Sequence, residues 1–357
     1  MTEQSAPQAR RVWYLDLLRI LAAYGIVVLH FAPFPVDHPA VNTIYWRVSM
    51  LISLMFRWCV PVFFMISGAL FLHPQRKITA AQLYKRSILR IAVCFIVWSS
   101  VYALAHCVIM DKGKWTFLNQ FFRGHYHMWY VFSILALYML TPIVRRMTES
   151  KKMTEYFLLL GFVFSFLLPR LVSFTLLFDI PIKDVVRSLQ SAVSQINPLP
   201  GATALYSYVL GYYLHAHASG KKMLRLALPA AAGGYLLTAV LTLWHSAKIG
   251  TVSSRFYDPS SLTVLLMASG VFLFFRNAFT DFVPGRKLEK ALLEASACSF
   301  GVYLMHPFII ERLGIDFPLN LAVLIPGIPL GALAVFLAAL CITGILRRIP
   351  AAGRYIV

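Results

Sequence analysis

The chain has 357 residues, of which 59% are hydrophobic and 13% are charged, and its formal net charge is +19. About a quarter of the residues of a soluble protein are charged, so this composition excludes an ordinary soluble domain and indicates a polytopic membrane protein. The basic residues occur in short clusters between apolar runs. That pattern is typical of membrane-protein loops, and we therefore expect no nucleic-acid partner.

Ten apolar runs are long enough to cross a bilayer, which requires about 20 helical residues. The predicted spans are residues 14–32, 45–72, 87–109, 127–144, 155–175, 201–218, 223–245, 261–279, 296–313 and 320–346. They predict an all-α helical bundle of about ten transmembrane helices, forming a single domain over residues 1–357 with tails at 1–13 and 347–357. An even number of spans places both tails on one side of the membrane.

The distribution of basic residues identifies that side. If the spans alternate in direction, the pairs Arg10–Arg11, Arg145–Arg146 and Arg347–Arg348 all fall on the side of the N-terminus. The positive-inside rule assigns this side to the cytoplasm.

The five cysteines follow neither a metal-binding nor a disulfide pattern. Cys59, Cys94, Cys107, Cys298 and Cys341 lie in or beside apolar runs without a C-x-x-C spacing. We therefore expect small core residues and no bound metal.

The first span contains ionisable residues, which are costly in hydrocarbon and are therefore candidates for a functional site. Asp16 and Arg19 are three residues apart and can pair on one helix face. His30 returns to nearly the same face about 16 Å further along the helix. This polar stripe is predicted to face the bundle interior or a wet cavity. The alternative is that Asp16 and Arg19 anchor one membrane interface and His30 the other.

Basic residues in the next two spans indicate anion binding. Arg86 and Arg90 lie one turn apart at the cytoplasmic end of the third span, where they could hold phosphate groups by charge-assisted hydrogen bonds. Lys85 and Arg19 add positive charge nearby, and anchoring at lipid headgroups is the alternative. Arg57, in the second span, is predicted near mid-membrane with a bound anion as its partner.

The ninth span runs in the same direction as the first, so His306 lies at about the depth of His30. The two imidazoles are predicted to meet in the outward half of the bundle. Pro307 frees a backbone carbonyl next to His306. The fourth span opens with His125-Tyr-His127-Met-Trp129-Tyr130, for which an interfacial aromatic belt is the alternative to a site.

These motifs, in this order, resemble the membrane acyltransferase family 3, a mostly bacterial group of polytopic O-acyltransferases. The matching segments are Leu15-Asp-Leu-Leu-Arg19 with His30 eleven residues on, Phe63-Phe-Met-Ile-Ser-Gly68, Lys85-Arg86 with Arg90-Ile91 and Trp98, Met128-Trp129-Tyr130 with Pro142, and Tyr303-Leu-Met-His306-Pro307. The family often has R-x-x-R followed by a proline in the third span. Here Arg86 and Arg90 are four residues apart, and Val93-Cys94 stands where the proline is expected.

The resemblance implies an acyl-CoA co-substrate, with acetyl as the family's usual group, and no tightly bound cofactor. It implies a carbohydrate hydroxyl acceptor in the cell envelope and a location in the bacterial inner membrane, among membrane lipids. The chain is similar to the short members of the family, such as the enterobacterial common antigen O-acetyltransferase type; a homo-oligomer is left open. By the same resemblance, His30 is the catalytic histidine, while Arg19, Arg86 and Arg90 hold the donor. The predicted site also includes His306 for catalysis, Lys85 for the donor, and Asp16, Arg57, Trp129, Tyr130 and Tyr303 for the pocket.

The charges and lengths agree with this interpretation. Coenzyme A is strongly anionic, so its nucleotide should stay at the basic cytoplasmic mouth. Its pantetheine arm is comparable in length to the distance of about 16 Å from Arg19 to His30, so the thioester could reach the imidazole. Neutral His30 would then take the proton of the acceptor hydroxyl, or would carry the acyl group transiently. Tyr303, Trp129 and Arg57 are candidate stabilisers of the oxyanion.

Two other classes of function fit the same residues. In a transporter or flippase for an envelope glycan intermediate, Arg57, His30 and His306 would line a pathway. In a non-catalytic receptor or assembly subunit, the polar stripe would be only a packing seam.

Overall fold

A computed structural model describes residues 11–32, 41, 43–74, 79–110, 114–175, 182–196, 203–314, 320–350, 353 and 355. Most of the predicted N-terminal tail 1–13 lies outside the described residues. Five residues of the predicted C-terminal tail 347–357 also lie outside them.

The described residues are mainly helical and contain no strand, which confirms the predicted all-α fold of a polytopic membrane protein. The α-helices are α1 (Trp13–Phe31), α2 (Ile44–Leu54), α3 (Cys59–Phe71), α4 (Ala80–Gln82), α5 (Leu89–Met110), α6 (Lys114–Arg123), α7 (Trp129–Thr148), α8 (Lys151–Gly161), α9 (Leu168–Thr175), α10 (Lys183–Ile196), α11 (Thr203–His217), α12 (Lys221–Ile249), α13 (Leu262–Ala278), α14 (Arg286–Leu313) and α15 (Leu321–Arg348). The π-helical segments Leu83–Ile88 and Phe162–Leu167 lead into α5 and α9, and the 3₁₀ turn Tyr126–Met128 leads into α7.

Side-chain contacts between helix ends show which ends lie together. Near the start of α1, the Tyr14 hydroxyl lies 2.5 Å from Nδ1 of His215, near the end of α11. At the end of α7, the Thr148 hydroxyl donates to the carbonyl of Leu72, just after α3, at 3.2 Å. The Tyr212 hydroxyl of α11 donates to the carbonyl of Thr148 at 3.2 Å. We call this end of the bundle, where α1 begins, the proximal end, and the opposite end the distal end.

The later helices continue the alternation. Gly220, before α12, donates to the side chain of Asn277 at the end of α13 at 2.8 Å, and these ends are proximal because Arg276 donates to the carbonyl of His215. His125, before α7, and Glu311, late in α14, lie 3.1 Å apart at the distal end. The helices whose ends these contacts locate therefore run in alternating directions, as the predicted spans require.

Eight helices in the described part of the chain are long and apolar enough to cross a membrane. The other two predicted spans, 201–218 and 261–279, correspond to α11 and α13, which have 15 and 17 residues. Both are held by close helix contacts: a Cβ on Gly68 of α3 would overlap the backbone of Tyr208 in α11, and a Cβ on Gly234 of α12 would lie 2.5 Å from the backbone nitrogen of Met267 in α13. Small residues thus allow these backbones to approach.

Helix α1 lies inside the bundle, in contact with α2, α3, α13, α14 and α15. Its Gly25 allows a close approach, because an added Cβ would lie 2.6 Å from the ring of Phe56 and would also overlap the sulfur of Cys59. The polar stripe of α1 is therefore surrounded by protein, as predicted.

The predicted span 45–72 is broken into α2 and α3 by residues 55–58. Pro61 lies in the first turn of α3, where its missing N–H is tolerated, and it cannot donate to the carbonyl four residues earlier, which favours a helix boundary at this point. The break places Arg57 between the two helices.

Candidate active site

A cavity of about 430 Å³ lies between α1, α3, α7, α14 and the start of α5. Its proximal end is lined by Arg19, Arg86 and Arg90. Its walls continue distally to Ile26 on α1, two turns beyond Arg19, and the rings of Tyr130 and Tyr303 line the same cavity. The predicted donor arginines therefore share one cavity with two of the predicted pocket residues.

The spacing of Arg86 and Arg90 is explained by the backbone between them. Arg86 lies in the π-helical segment Leu83–Ile88, after which the N–H of Leu89 donates to the carbonyl of Tyr84, five residues earlier. A π-helical turn contains about one residue more than an α-helical turn. A four-residue spacing across it therefore gives nearly the same relation between side chains as R-x-x-R in a regular α-helix, and both arginines line the cavity.

Lys85 does not join them. Its side chain is exposed and does not line the cavity. Its predicted place in the donor site is therefore corrected, because the neighbouring position on a helix points in a different direction.

Asp16 and Arg19 do not form the direct pair that their spacing allows. Arg11 reaches Asp16 with two hydrogen bonds of 2.8 and 2.9 Å. Ser296 of α14 donates to Asp16 at 2.5 Å and accepts from Arg19 at 3.3 Å. A buried carboxylate thus orients Arg19 through a hydroxyl from a neighbouring helix, and Asp16 supports the cavity without lining it.

The structure brings His30 and His306 together, as their depths predict, with ring centres 5.2 Å apart. His127 also faces this cluster, with its ring centre 5.6 Å from that of His306. The ring of Tyr126 lies 5.5 Å from His30. Ile26, one turn before His30 on the same helix, lines the cavity of about 430 Å³, so this cavity approaches to within about 6 Å of the His30 level.

Pro307 fixes the protonation of His306. Because Pro307 has no N–H, it leaves the carbonyl of Tyr303 free, and Nδ1 of His306 lies 2.8 Å from that oxygen. Nδ1 must be the donor in this contact, so Nε2 of neutral His306 carries the lone pair. Nε2 is buried and has no hydrogen-bond partner among the described residues.

The aromatic residues Tyr303, Tyr130 and Trp129 differ in what their side chains contact. The Tyr303 hydroxyl donates to the backbone carbonyl of His127, so it is already engaged. Tyr130 lines the cavity, whereas Trp129 is 45% exposed on the surface of the bundle. The predicted place of Trp129 in the pocket is therefore corrected: consecutive helical residues differ by about 100° in direction, so turning Tyr130 inward turns Trp129 outward.

Arg57 lies at the break between α2 and α3 and does not line the cavity. Its guanidinium carbon is 4.1 Å from the centre of the Tyr257 ring, and Nη2 donates to Ser53 at 3.3 Å. Burial raises the pKa of Tyr257, and the charge of Arg57 opposes that rise. The predicted partner of Arg57 was a bound anion, and the structure places an aromatic ring there.

Sequence reasoning left out three residues of the distal end. The segment His125-Tyr-His127 was weighed between a site and an interfacial belt, and neither histidine was placed in the predicted site, but their Nδ1 atoms are 2.9 Å apart, and Glu311 contacts His125. The signal in the sequence was two histidines directly before the Met128-Trp129-Tyr130 motif. In the part of the chain that the structure describes, no group of three or more His, Cys, Asp or Glu side chains is arranged to hold a metal ion.

The chemistry of the arrangement follows from its two ends. Three guanidiniums at one end can hold an anion. At the other end, neutral imidazoles with free lone pairs can accept the proton of a hydroxyl group.

A family model described as an acyltransferase domain, that of acyltransferase family 3, matches residues 12–348. No curated protein and no solved structure is matched. The family match covers the whole of the helical bundle, including α1, the three arginines that line the cavity, and both His30 and His306. The chain therefore belongs to acyltransferase family 3 and is a membrane acyltransferase.

Proposed function

We propose that this acyltransferase takes an acyl group, an acetyl group in the first instance, from acyl-CoA and transfers it to a hydroxyl of a cell-envelope polysaccharide or glycolipid. The observation that carries the proposal is the cavity that joins three arginines to a level one turn below His30.

The cavity suits such a donor. Its arginines would bind the phosphates of coenzyme A at the proximal end, where Arg19 is held in place by Ser296. Phe63, Ile66 and Leu70 are among its apolar wall residues and would surround the weakly polar pantetheine arm. The volume of about 430 Å³ lies within the range of about 300–1,000 Å³ usual for small-molecule sites.

The distal end of the cavity favours a short acyl group. The rings of Phe63 and Tyr130 are in contact there, with centres 5.9 Å apart, and the ring of Tyr303 lies 5.3 Å from that of Tyr130. These rings leave little space for a long acyl chain. One of them must move for the thioester to pass from the level of Ile26 to the level of His30.

The acceptor hydroxyl attacks the thioester carbonyl, a C–O bond forms, and His30 takes the hydroxyl proton. The C–S bond then breaks, and the proton passes to the leaving thiolate, so that coenzyme A leaves as the thiol. Arg57 is our choice for stabilising the oxyanion, because a guanidinium has five N–H donors and only some of them are used by Ser53, whereas Trp129 faces outward and the single hydroxyl of Tyr303 already donates to a backbone carbonyl.

The proposal also orients the protein. We place the proximal end in the cytoplasm of a bacterium, in the inner membrane, because the basic pairs Arg145–Arg146 and Arg347–Arg348 lie there and the donor is cytoplasmic. The acceptor would reach His30 from the distal, envelope side. The proposal includes a similarity to the family members that modify a polymer such as the enterobacterial common antigen.

The test is mass spectrometry of envelope polysaccharides from cells that carry the wild-type gene, no gene, or the His30→Ala variant. We expect the polymer from wild-type cells alone to carry the additional acyl mass, with equal amounts of polymer in all three strains. His217→Ala is the matched control, since His217 lies at the proximal end against Tyr213 and away from the cavity. Loss of the exported polymer with unchanged acylation per molecule would overturn the proposal in favour of transport.

A further inference from the structure

A hydrogen-bonded chain connects the distal surface to the histidine cluster. Oε1 of Glu311, whose side chain is 49% exposed, lies 3.1 Å from Nε2 of His125. Nδ1 of His125 lies 2.9 Å from Nδ1 of His127. His127 is buried, with its ring beside that of His306.

The partners along this chain determine where the protons lie. An ionised carboxylate only accepts hydrogen bonds, so Nε2 of His125 must carry a proton and donate it to Glu311. Nδ1 of a neutral His125 is then an acceptor, which requires Nδ1–H on His127. His127 therefore presents a lone pair at Nε2.

Two neighbouring imidazoles, with ring centres 5.6 Å apart, then each carry an Nε2 lone pair without a donor. Nε2 of His127 and Nε2 of His306 are both buried, and neither has a hydrogen-bond partner among the described residues. Buried polar atoms without partners are rare in native proteins, and each requires an explanation. Two acceptors beside His30 indicate a ligand that brings hydrogen-bond donors.

We propose that Glu311 and His125 are positioning residues that hold His127 in the tautomer with a free Nε2, and that His127 and His306 bind hydroxyl groups of the acceptor that neighbour the attacking hydroxyl. This rests on the proposed function and deepens it, because it names the acceptor as a carbohydrate that presents adjacent hydroxyls. The attacking hydroxyl gives its proton to His30 as it adds to the thioester carbonyl, and the hydroxyls held by His127 and His306 serve only for binding. No proton leaves the site along the chain.

The surroundings support a fixed chain. The ring of Tyr102 is stacked on His125 with centres 4.1 Å apart, which holds the imidazole in place. A polar cavity of about 130 Å³, lined by Glu311, Arg312 and Gln120 among others, opens beside His125. The carboxylate end of the chain therefore opens to this cavity, whereas His127 is buried.

The first test reads the tautomers directly. Histidine-specific ¹⁵N NMR of the full chain in nanodiscs should show His127 with a proton on Nδ1 and none on Nε2. His125→Phe keeps the stacking on Tyr102 but removes the acceptor, and should change the His127 signal, whereas Glu311→Gln keeps an accepting oxygen and should leave it. A wild-type His127 with a proton on Nε2 would overturn the proposal, whether or not the protein transfers acyl groups.

The second test uses polysaccharide from the strain without the gene as the acceptor, with acetyl-CoA as the donor. His125→Phe and Glu311→Leu should lower kcat/KM for this acceptor by about 10-fold each, as expected for one lost hydrogen bond in a buried site. The KM for acetyl-CoA should not change, and Glu311→Gln should restore most of the activity. His106→Leu, which alters the same polar cavity without contacting the chain, is the control.

The outcomes separate the two hypotheses. An equal loss for both substrates in His125→Phe would mean a structural role and would overturn the proposal. If the wild-type protein shows no transfer at all, the proposed function fails, and the NMR result still decides the tautomer.

Discussion

Removal of the Arg90 guanidinium should weaken the binding of coenzyme A far more than removal of Arg86. Both residues line the cavity, but Arg90 is partly buried, whereas Arg86 is exposed. A hydrogen bond to a charged group contributes about 1.5–3 kcal/mol when it is shielded from water. An exposed ion pair contributes about 0.2–1 kcal/mol.

These energies convert directly into affinities. With about 1.4 kcal/mol for each factor of ten, Arg90→Gln should raise the Kd for coenzyme A by about 10- to 100-fold. Arg86→Gln should raise it by about 2- to 5-fold. The assay is calorimetric titration of coenzyme A into the purified protein in nanodiscs at constant ionic strength, because salt screens exposed charges.

The control is Arg146→Gln, which removes one positive charge from the same end of the bundle. Arg146 is exposed, pairs with Glu149 and does not line the cavity. Its variant should bind coenzyme A like the wild-type protein. If Arg90→Gln binds as tightly as Arg146→Gln, the arginines do not hold the donor, and the argument from the cavity is wrong.

Three further predictions test the fold and the corrected site. Gly234→Ala should destabilise the protein by about 1–3 kcal/mol, because the added Cβ would lie 2.5 Å from the backbone of Met267. The control is Gly233→Ala, whose Cβ would have no atom within 4 Å and which should be neutral or stabilising. Thermal unfolding in one detergent compares the two variants. Tyr102→Phe should lower the free energy of unfolding by about 1–3 kcal/mol in the same assay. The Tyr102 hydroxyl is buried, donates to the carbonyl of Leu304 at 2.8 Å and accepts from the N–H of Phe308 at 3.1 Å, on either side of Pro307 in α14. An unchanged melting temperature would contradict this. Lys85→Gln should leave the Kd for coenzyme A within about 2-fold of wild type, and a larger loss in the titration would return Lys85 to the donor site.

The prediction of the fold succeeded where the physical signal is strong. Hydrocarbon tolerates only long apolar helices with internally satisfied backbones, so the runs of apolar residues could be counted directly. The break at residues 55–58 was missed although Pro61 marks it, because a proline in the first turn of a helix and a proline within a helix look alike in a sequence. The π-helical turn before Leu89 leaves no such mark.

The sequence alone determined the class of protein, the all-α fold with its long apolar helices, the arginine and histidine positions on α1, and the family resemblance. Those features depend on hydrophobicity and on helical periodicity, which are local. Only the tertiary structure decided that Asp16 binds Arg11 and Ser296, that Trp129 faces outward, and that Glu311, His125 and His127 form a chain next to His30 and His306. These contacts join residues from different helices. Which side chains meet depends on how each helix is rotated about its axis and packed against its neighbours, and local sequence patterns do not determine that rotation.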